Sequence, residues 1–231
     1  MNKLSKNSCG FTLVELMLTM AISGIIVAAI YSVYISQQRT YLAQEQVAEM
    51  QQNIRAAMDI MTREVRMAGY DPAGGAGSGI IAALPGQISF TQDTNGDGDT
   101  TDAGEMIDFG FSAAVVDADR DGVPDAVSNG VPDASPLGRQ TGGAGGYQAI
   151  AENIQAIEFR YLDAANGVTA TLADIHSVQI SILARAGRQD RDFFNSMTYT
   201  SASGATWGPY NDNFRRRLLI TSIQCRNLGL E

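Results

Sequence analysis

The chemistry in this chain is concentrated in carboxylates. Asp117, Asp119, Asp121 and Asp125 stand at positions one, three, five and nine of one run, with Gly122 sixth and Val123 seventh. Calcium takes roughly six to eight hard oxygen ligands in a tightly turned loop. Alternating aspartates can point successive side chains inward, the glycine permits the turn, and the Val123 carbonyl adds a backbone oxygen. Asp93, Asn95, Asp97, Asp99, Asp102 and Glu105 form a second set, with Gly98 sixth when counted from Asp93. Here Gly104 occupies the twelfth position and the closing acid comes one residue late. Asp125, Asn129, Gly130 and Asp133 repeat the spacing in degenerate form, with Val127 at their third position. Structural Ca2+ in loops 93–105 and 117–133 is the expectation; the alternative is a solvated acidic surface that binds nothing.

The overall charge follows from these loops. The chain has 231 residues, 25 acidic and 16 basic, for a net charge of −9. Between Asp93 and Asp133 there are eleven acidic residues against Arg120 alone, a local charge of −10. Such a balance argues against nucleic acid, whose phosphates need clustered Lys and Arg. Little else has the pattern of a catalytic site. The one histidine, His176, has no Ser or Cys partner motif and no companion at metal-ligand spacing. The glycine run 142–146 follows no strand-like segment and lacks a Lys-Ser/Thr ending, so it reads as a loop. Arg215–Arg217 fall in a strand-like run, where their side chains alternate between faces. No enzymatic activity is expected.

A different kind of chemistry is written at the N-terminus. Ten short, polar residues carry both lysines of the chain, Lys3 and Lys6. From Phe11 to Ile35 the sequence is almost wholly apolar, with Glu15 as its one charge. A helix of that length rises ~37 Å at ~1.5 Å per residue, enough to cross a hydrocarbon core of ~30 Å. The run is longer than a signal-peptide core and meets no small-residue break, so a retained membrane helix is expected, its start on the cytoplasmic side. A carboxylate in such a helix is costly without a partner.

Gly10-Phe11-Thr12-Leu13-Val14-Glu15-Leu16 resembles the processing site of type IV prepilins and of type II secretion pseudopilins. The resemblance implies cleavage by a prepilin peptidase between Gly10 and Phe11, N-methylation of Phe11, and an assembly role for Glu15. Gly24 resembles a small residue common in these helices, while Ser32 stands where major pilins often have a helix-bending proline. Glu64–Tyr70 and Phe214–Leu219 look like segments of PilW-type minor pilins, with J-type pseudopilins as close relatives. The family implies partners: other minor and major pilins, the peptidase, and an inner-membrane assembly platform. It also implies a single-pass inner-membrane precursor with a periplasmic head, later part of an extracellular pilus in a priming or tip complex. A secretion pseudopilin and a calcium-dependent tip adhesin are the alternatives. Asp117–Asp125 also resembles the aspartate-rich loops of thrombospondin type 3 repeats and dockerins, and Asp93–Glu105 starts like an EF-hand loop. Calcium would then rigidify a head without disulfides, since Cys9 leaves with the leader and Cys225 is left unpaired.

These residues need elements to position them. Beyond Ile35, apolar residues recur at steps of three and four from Ala43 through Val47, Met50, Ile54, Ala57, Met61 and Val65 to Ala68, an amphipathic continuation of the helix. Gly69 and Asp71-Pro72 supply the stop. The organisation expected is a leader, 1–10; a long helix, 11–69, whose part 11–35 is the membrane or filament-core segment; and a head, 70–231. Strands are predicted at 87–91, 106–111, 154–162, 178–184 and 217–226. The fold class is α+β, a long N-terminal helix packed on an antiparallel sheet.

Overall fold

The structure, a computed structural model, describes residues 10–112, 116–128, 130–142 and 146–228. Lys3, Lys6 and Cys9 of the leader, Asn129, and Gly143–Gly145 of the glycine run lie outside the described residues. Helix α1 spans Leu13–Val65. Its residues up to Glu45 and those from Gln46 onward fall in two separate units, and each has its own character.

The first unit is helix alone. Phe11, Leu13 and Ile25 are all more than 70% exposed, as befits a surface that waits for an apolar environment. The most apolar 18-residue window of α1 has a mean hydropathy of 2.3, and the helix is long and apolar enough to cross a membrane.

In the second unit the same helix becomes one wall of a core. Met50, Ile54, Ala57, Met58, Met61 and Val65 are buried, at spacings that return to one face. They share a cluster with Ile88, Phe90, Ile107, Phe109, Ile157, Ile180 and Ile182. Polar pins fix the register of helix against sheet. Asn53 Nδ2 donates to the Glu152 carbonyl at 2.6 Å, and the Glu152 N–H donates to Asn53 Oδ1 at 3.2 Å, so a side-chain amide completes a strand's backbone pair. Arg139 meets Glu64 at 2.7 Å. The helix ends at Val65 rather than running to 68, because its last turn tightens. Met67 N–H donates to the Glu64 carbonyl and Ala68 N–H to the Val65 carbonyl, three residues back. Gly69 then takes φ 77° and its N–H leaves for the Thr91 carbonyl.

Among the described residues eleven strands follow: β1 Ile80–Ala83, β2 Gln87–Thr91, β3 Met106–Gly110, β4 Val127–Ser128, β5 Val131–Pro132, β6 Ser135–Thr141, β7 Gln148–Leu162, β8 Ser177–Arg185, β9 Tyr199–Thr200, β10 Thr206–Trp207 and β11 Arg216–Gln224. Seven form one antiparallel sheet in the order β1-β2-β3-β6-β7-β8-β11, and β4-β5 and β9-β10 are two-stranded ribbons. The fold is thus α+β, a long N-terminal helix whose second half packs on an antiparallel sheet. Along β7, β8 and β11 the pairing places Ile157 opposite Ile182 and Ile182 opposite Leu219. Near its start β7 shifts register between Ile154 and Ala156, beside Asn153 with φ 56°. That irregularity bends the longest strand where it meets loop 117–125.

The five strands expected from alternation are all present, as β2, β3, β7, β8 and β11. Strands β1 and β6 of the main sheet, and the four short strands of the two ribbons, were not expected. Pro136 and Gly138 disguise β6, yet Gly138 has a reason to be there, since a Cβ on it would lie 2.2 Å from the Tyr147 ring.

Candidate functional site

The N-terminal site is built by the first turn of α1. Thr12 precedes the helix and Glu15 lies three residues on. The Glu15 amide donates to Thr12 Oγ1 at 3.2 Å, while the Thr12 N–H and hydroxyl each donate to Glu15 Oε2 at 2.9 Å. This is a capping box, which satisfies orphan N–H groups at the positive end of the helix. The carboxylate therefore faces toward the chain start, onto the N–H one residue beyond Phe11. Gly10 and Phe11 are exposed, and nothing lies within 4 Å of where a Gly10 Cβ would stand. Thr12 was missed as a functional residue, although the T-x-x-E spacing was readable.

In loop 117–125, Asp117, Asp119 and Asp121 each offer a carboxylate oxygen within 4.8 Å of the others. Asp119 and Asp121 are exposed, but Asp117 is only 2% exposed. Two distant elements bury it. The Gly86 N–H, in the turn between β1 and β2, donates to the Arg120 carbonyl at 2.8 Å, and the Ile157 N–H of β7 donates to the Gly122 carbonyl at 2.8 Å. Asp117 Oδ2 accepts the Gly122 N–H at 3.0 Å, whereas Oδ1 has no hydrogen-bond partner. Burial pushes the Asp117 carboxyl up to about 6; the Gly122 and Arg120 N–H groups oppose that rise, and the Asp119 and Asp121 carboxylates add to it. Asp125 closes the loop instead of converging on the three, its Oδ2 accepting the Ala118 N–H at 2.7 Å. The Val123 N–H donates to Asp121 Oδ1 at 2.7 Å.

Loop 93–105 is organised differently. Buried Asp93 accepts from the Gly96 and Gly98 amides, and buried Glu105 from the Thr94 amide and hydroxyl and the Asp102 amide. Asn95 Nδ2 donates to Asp97 Oδ2 and Asp102 Oδ2. Thr101, through its N–H and its hydroxyl, holds the Asp99 carboxyl below its ordinary range. The six residues expected as ligands line one loop, but no three of its carboxylates converge as those of Asp117, Asp119 and Asp121 do.

Residues 5–31 match the family model of the prokaryotic N-terminal methylation motif. The chain carries the prokaryotic N-terminal methylation motif over that segment. Its apolar helix and methylation motif suit a membrane-anchored pilin. Among solved structures, a type IV-like pilin from Thermus thermophilus is similar at 14% identity and a TM-score of 0.43, over 77% of this chain and 97% of that one. No curated protein matches.

The other candidate residues of this chain serve its head. Arg216 is buried and Arg217 exposed, as alternation requires. Arg216 grips Asp212 through both terminal nitrogens at 2.6 Å and reaches Gln155 Oε1 at 3.1 Å, with its guanidinium 3.9 Å over the Tyr210 ring. Arg215 pairs with Asp190 at 2.8 Å. Cys225 is free and 3% exposed, and burial pushes its thiol up to about 12. His176 is half-buried at the start of β8; its Nδ1 lies 3.0 Å from the Asp174 carbonyl, and its own carbonyl accepts the Cys225 N–H.

Proposed function

We propose that this chain is the precursor of a minor pilin, inserted in the inner membrane, cut by prepilin peptidase between Gly10 and Phe11, methylated at Phe11 and drawn into a filament through α1. The observation that carries the reading is the placement of Glu15. Its carboxylate sits in the first turn of a helix whose other side chains there are exposed and apolar, and it faces the chain start. Cleavage would free a cationic amine at Phe11, one residue before the N–H that Glu15 receives. In a low-dielectric surrounding neither charge is tolerated alone, so the two favour each other strongly. Within one chain that pairing neutralises the end of the helix. Between neighbouring subunits the same attraction fixes the axial register of an incoming helix among other minor and major pilins. The head faces the periplasm before assembly and the outside afterwards, in a priming or tip complex.

The test separates charge from helix capping. Glu15→Gln keeps an oxygen that can accept from Thr12 but loses the charge; Glu15→Ala loses both. Mass spectrometry of the purified wild-type chain should give a mature N-terminus at N-methylated Phe11. Both variants should insert and be cut, and neither should enter sheared filaments. A mature N-terminus elsewhere, or wild-type incorporation of Glu15→Gln, refutes the reading.

A further inference from the structure

We propose that Asp117, Asp119 and Asp121 hold one calcium ion, which ties their loop to the turn before β2 and to the bend of β7. Three carboxylates that converge are not by themselves a site, because exposed acids cluster freely. What points to a ligand is Asp117 Oδ1. The residue is 2% exposed and this oxygen has no hydrogen-bond partner, although its side chain lies among two further carboxylates. A buried carboxylate without full pairing is costly, and the relief open to it is a proton or a cation. With carboxylate oxygens of Asp119 and Asp121 within 4.8 Å of its own, a cation relieves all three acids at once, whereas a proton serves only one.

The donor set selects the cation. All three side chains offer oxygen, and neither His nor Cys joins them, which disfavours zinc and suits a hard ion. Calcium accepts a flexible arrangement of carboxylates, a carbonyl and waters, whereas magnesium demands a near-octahedral one and dehydrates reluctantly. The position of the loop gives the ion its effect. The Arg120 and Gly122 carbonyls are held by the Gly86 and Ile157 N–H groups, so a cation on the loop is coupled to two segments of the main sheet. Loop 93–105 has no such vacancy in its bonding, since Asp93 and Glu105 accept hydrogen bonds at both of their oxygens.

The experiment is calorimetric titration of the full chain in detergent micelles with calcium chloride, paired with thermal melts. One ion should bind in the range of extracellular modules, with Kd ~10⁻⁴–10⁻³ M, and magnesium much more weakly. Asp119→Asn with Asp121→Asn, both exposed positions, should weaken binding at least about tenfold, and Asp97→Asn with Asp99→Asn should leave it unchanged. Asp117→Asn provides a readout that a purely structural role would not give. It should melt no lower than wild type without calcium, because a buried charge is gone, and should lose the calcium-induced rise. The proposal is overturned if the wild-type chain shows neither heat nor a melting shift at about 10 mM calcium. It is equally overturned if the Asp119/Asp121 double variant keeps the full response, or if the Asp97/Asp99 variant loses it. None of these outcomes depends on processing at Gly10 or on filament assembly.

Discussion

Replacing Gly122 by alanine tests whether close backbone contact fixes loop 117–125 on the sheet. Gly122 has φ 87°, and a Cβ on it would lie 2.0 Å from the Ile157 carbonyl oxygen and 3.1 Å from Gly86 Cα. Three costs follow. Holding an L-residue in the left-handed region costs about 1–2 kcal/mol. Forcing a methyl against backbone that belongs to the longest strand costs about 1–3 kcal/mol more, as overpacking does in a well-filled core. Moving the loop away stretches the hydrogen bond from the Ile157 N–H to the Gly122 carbonyl, a loss of about 0.5–1.5 kcal/mol. Because relaxation relieves one cost at the expense of another, the expected destabilisation is about 3–5 kcal/mol. Gly98→Ala is the control: it has φ 89° and nothing within 4 Å, so only the first cost applies. Urea unfolding of the full chain in micelles reads both, followed by the fluorescence of Trp207, the single tryptophan, which packs against the cluster of Ala156, Leu183 and Tyr199. If Gly122→Ala costs no more than Gly98→Ala, close approach is not what places this loop.

Two further predictions concern the head. Arg216→Met strands the Asp212 carboxylate and the Gln155 carbonyl oxygen in a half-buried site and should cost about 3–5 kcal/mol by urea titration, whereas Arg217→Met, at an exposed position one residue on, should stay within about 0.5 kcal/mol. Cys225 should resist a thiol reagent at pH 8 and react once urea unfolds the chain. Burial disfavours the thiolate and pushes the thiol up to about 12, so reactivity in the folded chain should rise only in strongly alkaline solution; a folded-state thiol titrating near 9 would contradict this.

What the sequence made legible depended on range. The first turn of α1 is local, and Gly10, Phe11 and Glu15 could be picked out by order and spacing. Thr12 is equally local, and its T-x-x-E spacing with Glu15 is the sequence mark of a capping box. Strands with alternating β-branched residues, such as Val178, Ile180 and Ile182 in β8, announced themselves, and β2 matches its expected bounds of 87–91. The opening of β7, Gln148–Asn153, did not, because Ile150 is its one strand-favouring residue among Gln, Ala, Glu and Asn, and the segment is held in place by Asn53 of α1. Strand β6 was hidden by a proline and by a glycine whose purpose is the Tyr147 ring across from it.

The two acidic loops mark the limit of spacing as evidence. Both place carboxylates at alternate positions with a glycine sixth, and on that count they are near equivalents. They differ in where their hydrogen-bond donors come from. Loop 93–105 folds around its own amides, so Gly96, Gly98, Thr94, Thr101 and Asp102 answer its acids from within the same stretch. In loop 117–125 the local donors serve Asp119, Asp121, Asp125 and one oxygen of Asp117, while the other oxygen is buried without a partner in a loop held by the Gly86 and Ile157 N–H groups, about 30 positions before and about 40 after Asp117. Enclosure without a donor is a property of the folded sheet, invisible to any window of sequence. It distinguishes two similar aspartate runs: under the calcium proposal a cation would answer the buried oxygen of Asp117, while the other run is already satisfied by the chain that bears it.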